Sequence, residues 1–279
     1  MKLSQDNIEA AVRLALEEDI GNGDVTANLI DSKQTSSAKV ITREPGILCG
    51  QPWFDETFRQ ISPDVKIQWL VDEGALITKE QTMCTLSGQT RALLTAERTA
   101  LNFLQTLSAT ATTTKKYVDR LKDTNTKILD TRKTIPGLRL AQKYAVHCGG
   151  GMNHRIGLYD MILIKENHIA SCGSIAAALQ KALATQATHP NIEIEIEVEN
   201  LNELEQALSA GAKRILLDNF EIADLTRAVH INKQKARLEV SGNITLENIR
   251  DVAMTGIDYI SSGALTKHVK ALDLSLQFD

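Results

Sequence analysis

The chain has 279 residues, enough for one large α/β domain or for one such domain beside a smaller one. A net charge of −4 argues against a nucleic-acid binder, and aromatic residues make up only 4% of the chain, so the core must be mostly aliphatic. No stretch reaches the roughly 18 consecutive apolar residues that a membrane-spanning helix needs.

Residues 6–20 carry a helical pattern, with Ile8, Val12, Ala15 and Leu16 on one face. Asp6 followed by Glu9 resembles a capping box, and Gly21 and Gly23 end the helix. This opening has no apolar segment of the kind a secretory leader carries, so a cytoplasmic protein is expected. The four cysteines lack CxxC spacing and read as reduced thiols. Residues 36–88 hold short strand-like runs (AKVIT, ILCG, VKIQWLV, TMCTLS) broken by Pro-Gly and Glu-Gly turns, which predicts a small β-rich module. A long helix is expected from about Arg91 to Lys122.

From residue 127 the rhythm changes. Apolar runs at 128–129, 161–164, 192–198, 215–217, 238–240 and 257–260 alternate with helical patterns at 138–147, 174–187, 201–210, 221–230 and 245–255. Such alternation implies a parallel sheet with helices outside, and a series of this length curls into a βα barrel, complete or open.

In βα barrels the chemistry sits where strands end. The first run ends in Asp130-Thr131-Arg132-Lys133, the next in Lys165-Glu166-Asn167-His168, and later ones in Asp218-Asn219, Ser241-Gly242-Asn243 and Ser261-Ser262-Gly263. Loops are polar anyway, but these ends sort by type: cations early, carboxylates midway, Ser-Gly pairs late. The run IEIEIEVEN (192–200) alternates isoleucine with glutamate. A parallel strand covered by helices cannot turn carboxylates toward them cheaply. The glutamates are therefore expected to point into the barrel, with Arg132, Lys133 or Lys165 to neutralise them. Between Asp130 and Ala170 stand six Lys/Arg against three acids, a basic segment in an acidic chain that suits a small polyanion. The glycines of CGGG (148–151) either let backbone approach a ligand or make a hinge. Ser-Gly ends can hold phosphate at a following helix start, which Thr245-Leu246-Glu247 would supply. The residues thus describe a barrel that binds carboxylates and a phosphate, with Glu197 and Asp218 facing the ligand, directly or through Mg²⁺. They do not name the reaction.

The chain also resembles a known family, over EEDIGNGDVT (17–26), REPGILCG (43–50), ERTALNFLQTLSATAT (97–112), DTRKTIPGLR (130–139), KYAVHCGGGMNHRIGLYDMILIKENH (143–168), EIEVENLNEL (195–204), LLDNF (216–220), EVSGNI (239–244) and SSGALTKHVKALDLSL (261–276). These segments are similar to those of the quinolinate phosphoribosyltransferases. The resemblance implies an N-terminal α/β sandwich of the lipoyl-like hammerhead type over 1–112, rejoined by a tail at 267–279, and an open, seven-stranded βα barrel over 113–266. It implies transfer of the phosphoribosyl group from phosphoribosyl pyrophosphate to quinolinate with decarboxylation, with Mg²⁺ and no organic cofactor. By the same resemblance Thr131, Arg132, Lys133, His154, Arg155 and Lys165 form the quinolinate pocket, and Arg98 joins it from a neighbouring subunit of a homodimer, which further assembly could make a hexamer. Lys133, Glu197 and Asp218 are the expected catalytic groups. Glu197 and Asp218 would hold the ribose hydroxyls and Mg²⁺, and Ser241, Gly242, Asn243, Ser262 and Gly263 would hold the 5′-phosphate. A nicotinate phosphoribosyltransferase, or a non-catalytic pyridine-dicarboxylate or phosphosugar binder, are the competing readings.

Overall fold

A computed structural model describes residues 4–279. In chain order the elements are α1 (Gln5–Ile20), β1 (Thr35–Thr42), β2 (Gly46–Ile47), α2 (Gln51–Ile61), β3 (Lys66–Trp69), β4 (Leu76–Ile77), β5 (Thr82–Gln89), α3 (Thr90–Arg120), β6 (Lys127–Leu129), α4 (Arg139–Cys148), β7 (Met161–Ile164), α5 (Glu166–Cys172), α6 (Ile175–Thr188), β8 (Glu193–Val198), α7 (Leu201–Ser209), β9 (Arg214–Asp218), α8 (Ile222–Asn232), β10 (Arg237–Ser241), α9 (Ile249–Met254), β11 (Tyr259–Ser261), α10 (Ala264–Lys267) and β12 (Leu274–Phe278). They divide into two compact units. The first takes the chain up to Lys115, Ile135–Gly150 and His268–Asp279; the second takes Lys116–Thr134 and Gly151–Lys267.

The first unit carries an antiparallel sheet in the order β12-β1-β5-β3, and β2 pairs with β4 beside it. The C-terminal strand thus forms an edge of the N-terminal sheet: Ala38 faces Phe278 and Thr42 faces Leu274. Helix α1 starts one residue earlier than its pattern suggests. Ser4, not Asp6, is the cap, its hydroxyl accepting the N–H of Asn7, while Asp6 lies in the first turn. Helix α2 is absent from the β-rich expectation for 36–88. It forms because Pro52 sits in its first turn and Trp53, Phe54, Thr57 and Phe58 are buried along it. Helix α4, expected in the barrel domain, falls with the first unit, where Ala141 and Ala145 pack in one cluster with Ile8, Val12, Trp53 and Leu107.

The second unit is a parallel sheet in the order β6-β11-β10-β9-β8-β7. Six strands account for all six apolar runs. Where a seventh is expected, Met152 makes a single parallel bridge with Leu129. Its N–H donates to the carbonyl of Ile128, and its carbonyl accepts from Asp130 N–H. The seventh position is therefore one residue of strand, too short to leave an apolar signature. Two helices differ from expectation. Helix α5, which no pattern announced, begins immediately after Lys165, and α9 begins at Ile249 rather than 245, because Thr245 to Asn248 form a turn in which Asn248 Oδ1 accepts the Thr245 N–H. Thr245 does not open a helix.

Candidate active site

Side-chain alternation puts Glu193, Glu195 and Glu197 of β8 on one face, with Arg214 and Asp218 of β9 and Glu239 and Ser241 of β10 on that same face. Contacts across this face show it to be the barrel interior: Arg214 on β9 bonds Glu195 and Glu239 on the two flanking strands, and His154 from the β6–β7 connection reaches both Glu195 on β8 and Glu239 on β10. The glutamates thus point inward, as their alternation predicts. Of the three cations expected to pair with them, Lys165 does so, and the other glutamates take partners that were not expected. Lys165 takes Glu197, at 2.5 Å from Nζ to Oε2. Glu195 is hydrogen-bonded by His154 and paired with Arg214, and Glu193 pairs with Arg214.

The rim is built from the loops that leave the strands. After β6, Thr131 Oγ1 accepts the Lys133 N–H at 3.0 Å, and the Lys133 carbonyl accepts the Thr266 hydroxyl. The Lys133 side chain lies over Gly263, so close that a Cβ there would fall 2.8 Å from its Cδ. This joins the first strand end to the last. Asp130 is fully buried and takes two donors from the next loop, Asn153 Nδ2 at 2.6 Å and the His154 N–H at 2.9 Å. Asp160 then closes the turn after Arg155, accepting the N–H groups of Ile156 and Gly157. Arg155 is thereby held between two carboxylate-braced turns. Burial, followed by the nearby Arg132 guanidinium, draws the Arg155 pKa down, while Asp160, Glu195 and Glu197 oppose the shift. The Arg155 and Arg132 charges thus act on one another, which suits an anion with more than one negative group.

On the other side of the rim, Asp218 Oδ2 accepts from Asn219 Nδ2 at 2.8 Å, and the Asn219 N–H donates to the Ser241 carbonyl. Gly242 and Asn243 both have positive φ, 102° and 51°. A side chain at Gly242 would also run into Asn219 Oδ1, so the turn requires glycine for its conformation and for its space. Ser262 N–H donates to the Leu129 carbonyl, which seats the Ser262-Gly263 end beside β6.

Of the expected site residues, Thr131, Arg132, Lys133, His154, Arg155, Lys165, Glu197, Asp218, Ser241, Gly242, Asn243, Ser262 and Gly263 all lie in the second unit. Arg98 belongs to the first unit, on α3, exposed and 3.9 Å from Glu97. His154 is only 6% exposed, and its ring faces Glu195. Sequence reasoning missed Asp160, Arg214 and Glu239. Arg214 and Glu239 do carry a signal: each is a charge at an inward position of a parallel strand, in RILLD and RLEVS, as the glutamates are in IEIEIEVEN.

Two family models cover nearly the whole chain. The quinolinate phosphoribosyl transferase N-terminal domain matches residues 24–108, and the C-terminal domain matches residues 110–277. The chain belongs to the quinolinate phosphoribosyltransferase family. Within it, a probable carboxylating nicotinate-nucleotide pyrophosphorylase of Bacillus subtilis (strain 168) is 42% identical over 259 residues, 93% of this chain and 89% of the relative. A decarboxylating quinolinate phosphoribosyltransferase of Nicotiana tabacum is 38% identical, over 98% of this chain and 82% of its own length. The solved structure of the nicotinate-nucleotide pyrophosphorylase from Francisella tularensis superposes with a TM-score of 0.95 at 50% identity, covering 100% of this chain and 98% of that one. The open βα barrel with its N-terminal α/β unit is thus the fold of the family.

Proposed function

We propose that this chain transfers the phosphoribosyl group of phosphoribosyl pyrophosphate to quinolinate with loss of CO₂, and that the rim of the second unit is where it does so. The observation that supports this reading is that Arg132 and Arg155, both in the β6–β7 connection, act on one another's charge, while Lys165, just past β7, is fixed on Glu197 of β8. Quinolinate has carboxylates on adjacent ring carbons, which repel each other and need several cations. In this reading the pocket is formed by Thr131, Arg132, Lys133, His154, Arg155 and Lys165. The buried ring of His154 bonds Glu195, so its part in the pocket is to set the Arg155 turn.

The ring nitrogen attacks C1′ and the pyrophosphate oxygen leaves. Charge of the oxocarbenium kind develops at C1′, opposite Glu197 and Asp218. Lys133, held over Gly263, supplies positive charge beside the sugar phosphate. The turns at Ser241-Gly242-Asn243 and Ser262-Gly263 supply backbone donors to the 5′-phosphate. The C2–carboxylate bond then breaks, the electron pair stays at C2 next to the alkylated nitrogen, and C2 takes a proton. A strong protein acid is not required for that step.

The carboxylate oxygens of Glu197 and Asp218 suit a hard, well-hydrated Mg²⁺. Glu197 Oε2 is engaged by Lys165, so Glu197 Oε1 and the Asp218 carboxylate would be the oxygens that hold the ion. Bound with phosphoribosyl pyrophosphate, Mg²⁺ would neutralise the leaving group. No organic cofactor enters this scheme. We place the enzyme in the cytoplasm as a homodimer in which Arg98 completes the neighbouring subunit's pocket.

The test is turnover of carboxyl-labelled quinolinate with phosphoribosyl pyrophosphate and Mg²⁺. Labelled CO₂ and nicotinate mononucleotide are expected in equal amounts; nucleotide formed from nicotinate but no CO₂ from quinolinate would reject the reading. Lys133→Ala should lower kcat/KM by about 10²–10³-fold, on the scale of one lost transition-state donor. Mixing Arg98→Ala with Lys133→Ala protein should restore part of the activity in hybrid dimers, and no restoration would mean that each site is built within one chain.

A further inference from the structure

Beneath the rim lies a closed ring of four side chains, of which the reaction scheme uses only His154. His154 Nε2 meets Glu195 Oε2 at 2.8 Å. Glu195 Oε1 accepts from Arg214 Nε at 3.0 Å, and Arg214 Nη2 donates to Glu239 Oε2 at 2.7 Å. Glu239 Oε1 closes the ring, 3.5 Å from His154 Nε2. Both glutamates are fully buried.

The hydrogen bonds fix where protons can be. His154 Nδ1 accepts the N–H of Arg155 at 2.7 Å, so the ring proton is on Nε2. One N–H then faces two carboxylates. Glu195 takes it, and Glu239 Oε1 is left buried without a hydrogen-bond partner. Charge leads to the same place. One guanidinium stands against two buried carboxylates and a neutral imidazole, an excess of one negative charge where burial makes it costly. A proton on Glu239 removes the excess and relieves the repulsion from Glu195.

We propose that Glu239 is a positioning residue of the quinolinate pocket, one that carries a proton in the working enzyme and, through Arg214 and Glu195, fixes the His154 ring and the turn that delivers Arg155. The inference rests on the reading of the rim as that pocket. The chain of contacts is continuous: the same imidazole that docks on Glu195 receives the Arg155 N–H, while Asp130 holds the His154 N–H. The charged and titratable groups facing Glu239 are Glu195 from β8, Arg214 from β9, Tyr259 beside it on β11, and His154 from the β6–β7 connection. Among them, burial and then the Glu195 charge push Glu239 up to about 7, against the pull of Arg214.

The experiment uses the full chain and two variants. Glu239→Gln keeps the shape and neutrality of the protonated acid; Glu239→Ala removes the link. In the native enzyme the KM for quinolinate should rise above pH 7, approaching tenfold per unit as one proton is lost, with the KM for phosphoribosyl pyrophosphate unmoved. Glu239→Gln should keep the quinolinate KM within about threefold at pH 7 and abolish that rise, whereas Glu239→Ala should raise KM at every pH by about tenfold or more. A Gln variant as impaired as the Ala variant, or a pH profile that Gln leaves intact, would overturn the proposal. Nitrogen NMR of the native enzyme gives a check that needs no Glu239 variant. His154, assigned by difference with His154→Asn, should show one protonated and one bare ring nitrogen at neutral pH; two protonated nitrogens would place the extra proton on the ring and end the case for Glu239. A failure of the pocket reading looks different: Lys165→Ala would leave the quinolinate KM unchanged while the tautomer of His154 stayed as described.

Discussion

Each compact unit buries a cluster of ionisable side chains, and the two clusters control their charge by opposite means. In the barrel, Arg214 puts a permanent cation among Glu195, Glu239 and, toward solvent, Glu193. Burial pushes Glu195 up, but the His154 hydrogen bond and Arg214 outweigh it and hold Glu195 below its ordinary value. In the first unit, Cys49, Glu73 and Cys148 lie together beside Tyr144, and Glu73 has no ion-pair partner among the described residues. It accepts instead the N–H groups of Gly50 and Gln51 at the start of α2. Burial dominates there: it pushes Glu73 up, and the Cys49 thiol well up. Only Cys148 moves down, through the hydrogen bond from Cys49. A guanidinium lets Glu195 stay ionised in the barrel interior. Backbone N–H groups suffice where packing is the purpose.

Removing the cation should break the contrast most. Arg214→Met takes the guanidinium from two buried glutamates, and a loss of about 3–5 kcal/mol is expected in urea unfolding. A loss under about 1 kcal/mol would mean that both glutamates simply take up protons. Stability against pH sharpens the same point. Glu239 ionises at about 7 when folded and near 4.5 when unfolded, so the folded state binds the proton more tightly. Its contribution is complete below about 4.5 and is lost as pH rises toward 7, at no more than about 1.4 kcal/mol per unit. Glu239→Gln should flatten that decline, and an unchanged slope would assign it to another group. In the first unit, Glu73→Ala orphans two helix N-terminal donors and should cost about 1–3 kcal/mol in the same unfolding assay. Cys49→Ala has the smallest effect. It deprives Cys148 of the bond that lowers its pKa, so alkylation of Cys148 at neutral pH should slow severalfold, read by mass spectrometry.

How much of this was legible in the chain depended on which forces leave a periodic trace. The six strands did, because helix-covered parallel strands must be apolar outward. IEIEIEVEN announced an acidic interior because no other orientation of those glutamates is affordable in a covered sheet. Helix α2 was hidden by its Pro-Gly surroundings and its short length, and Met152 by being a single bridge. The start of α9 was misplaced because Thr245 engages Asn248 in a turn before the helix begins. At the site, the rim residues were recognisable as strand-end motifs. The ring beneath them was not, because Arg214 and Glu239 are single letters in separate strands, and only the β8-β9-β10 neighbourhood makes them partners.

The pairing of β12 with β1 bears on how the chain is made. The first unit cannot be finished when its own first 115 residues have emerged, since one edge of its sheet waits for Leu274–Phe278. Until those residues leave the ribosome, Ala38 to Thr42 present an open row of backbone groups to any neighbouring nascent chain. The barrel can be fully translated before that edge closes. Messages cut short before Leu274 should therefore yield protein that clumps through β1 rather than protein that lacks a catalytic group.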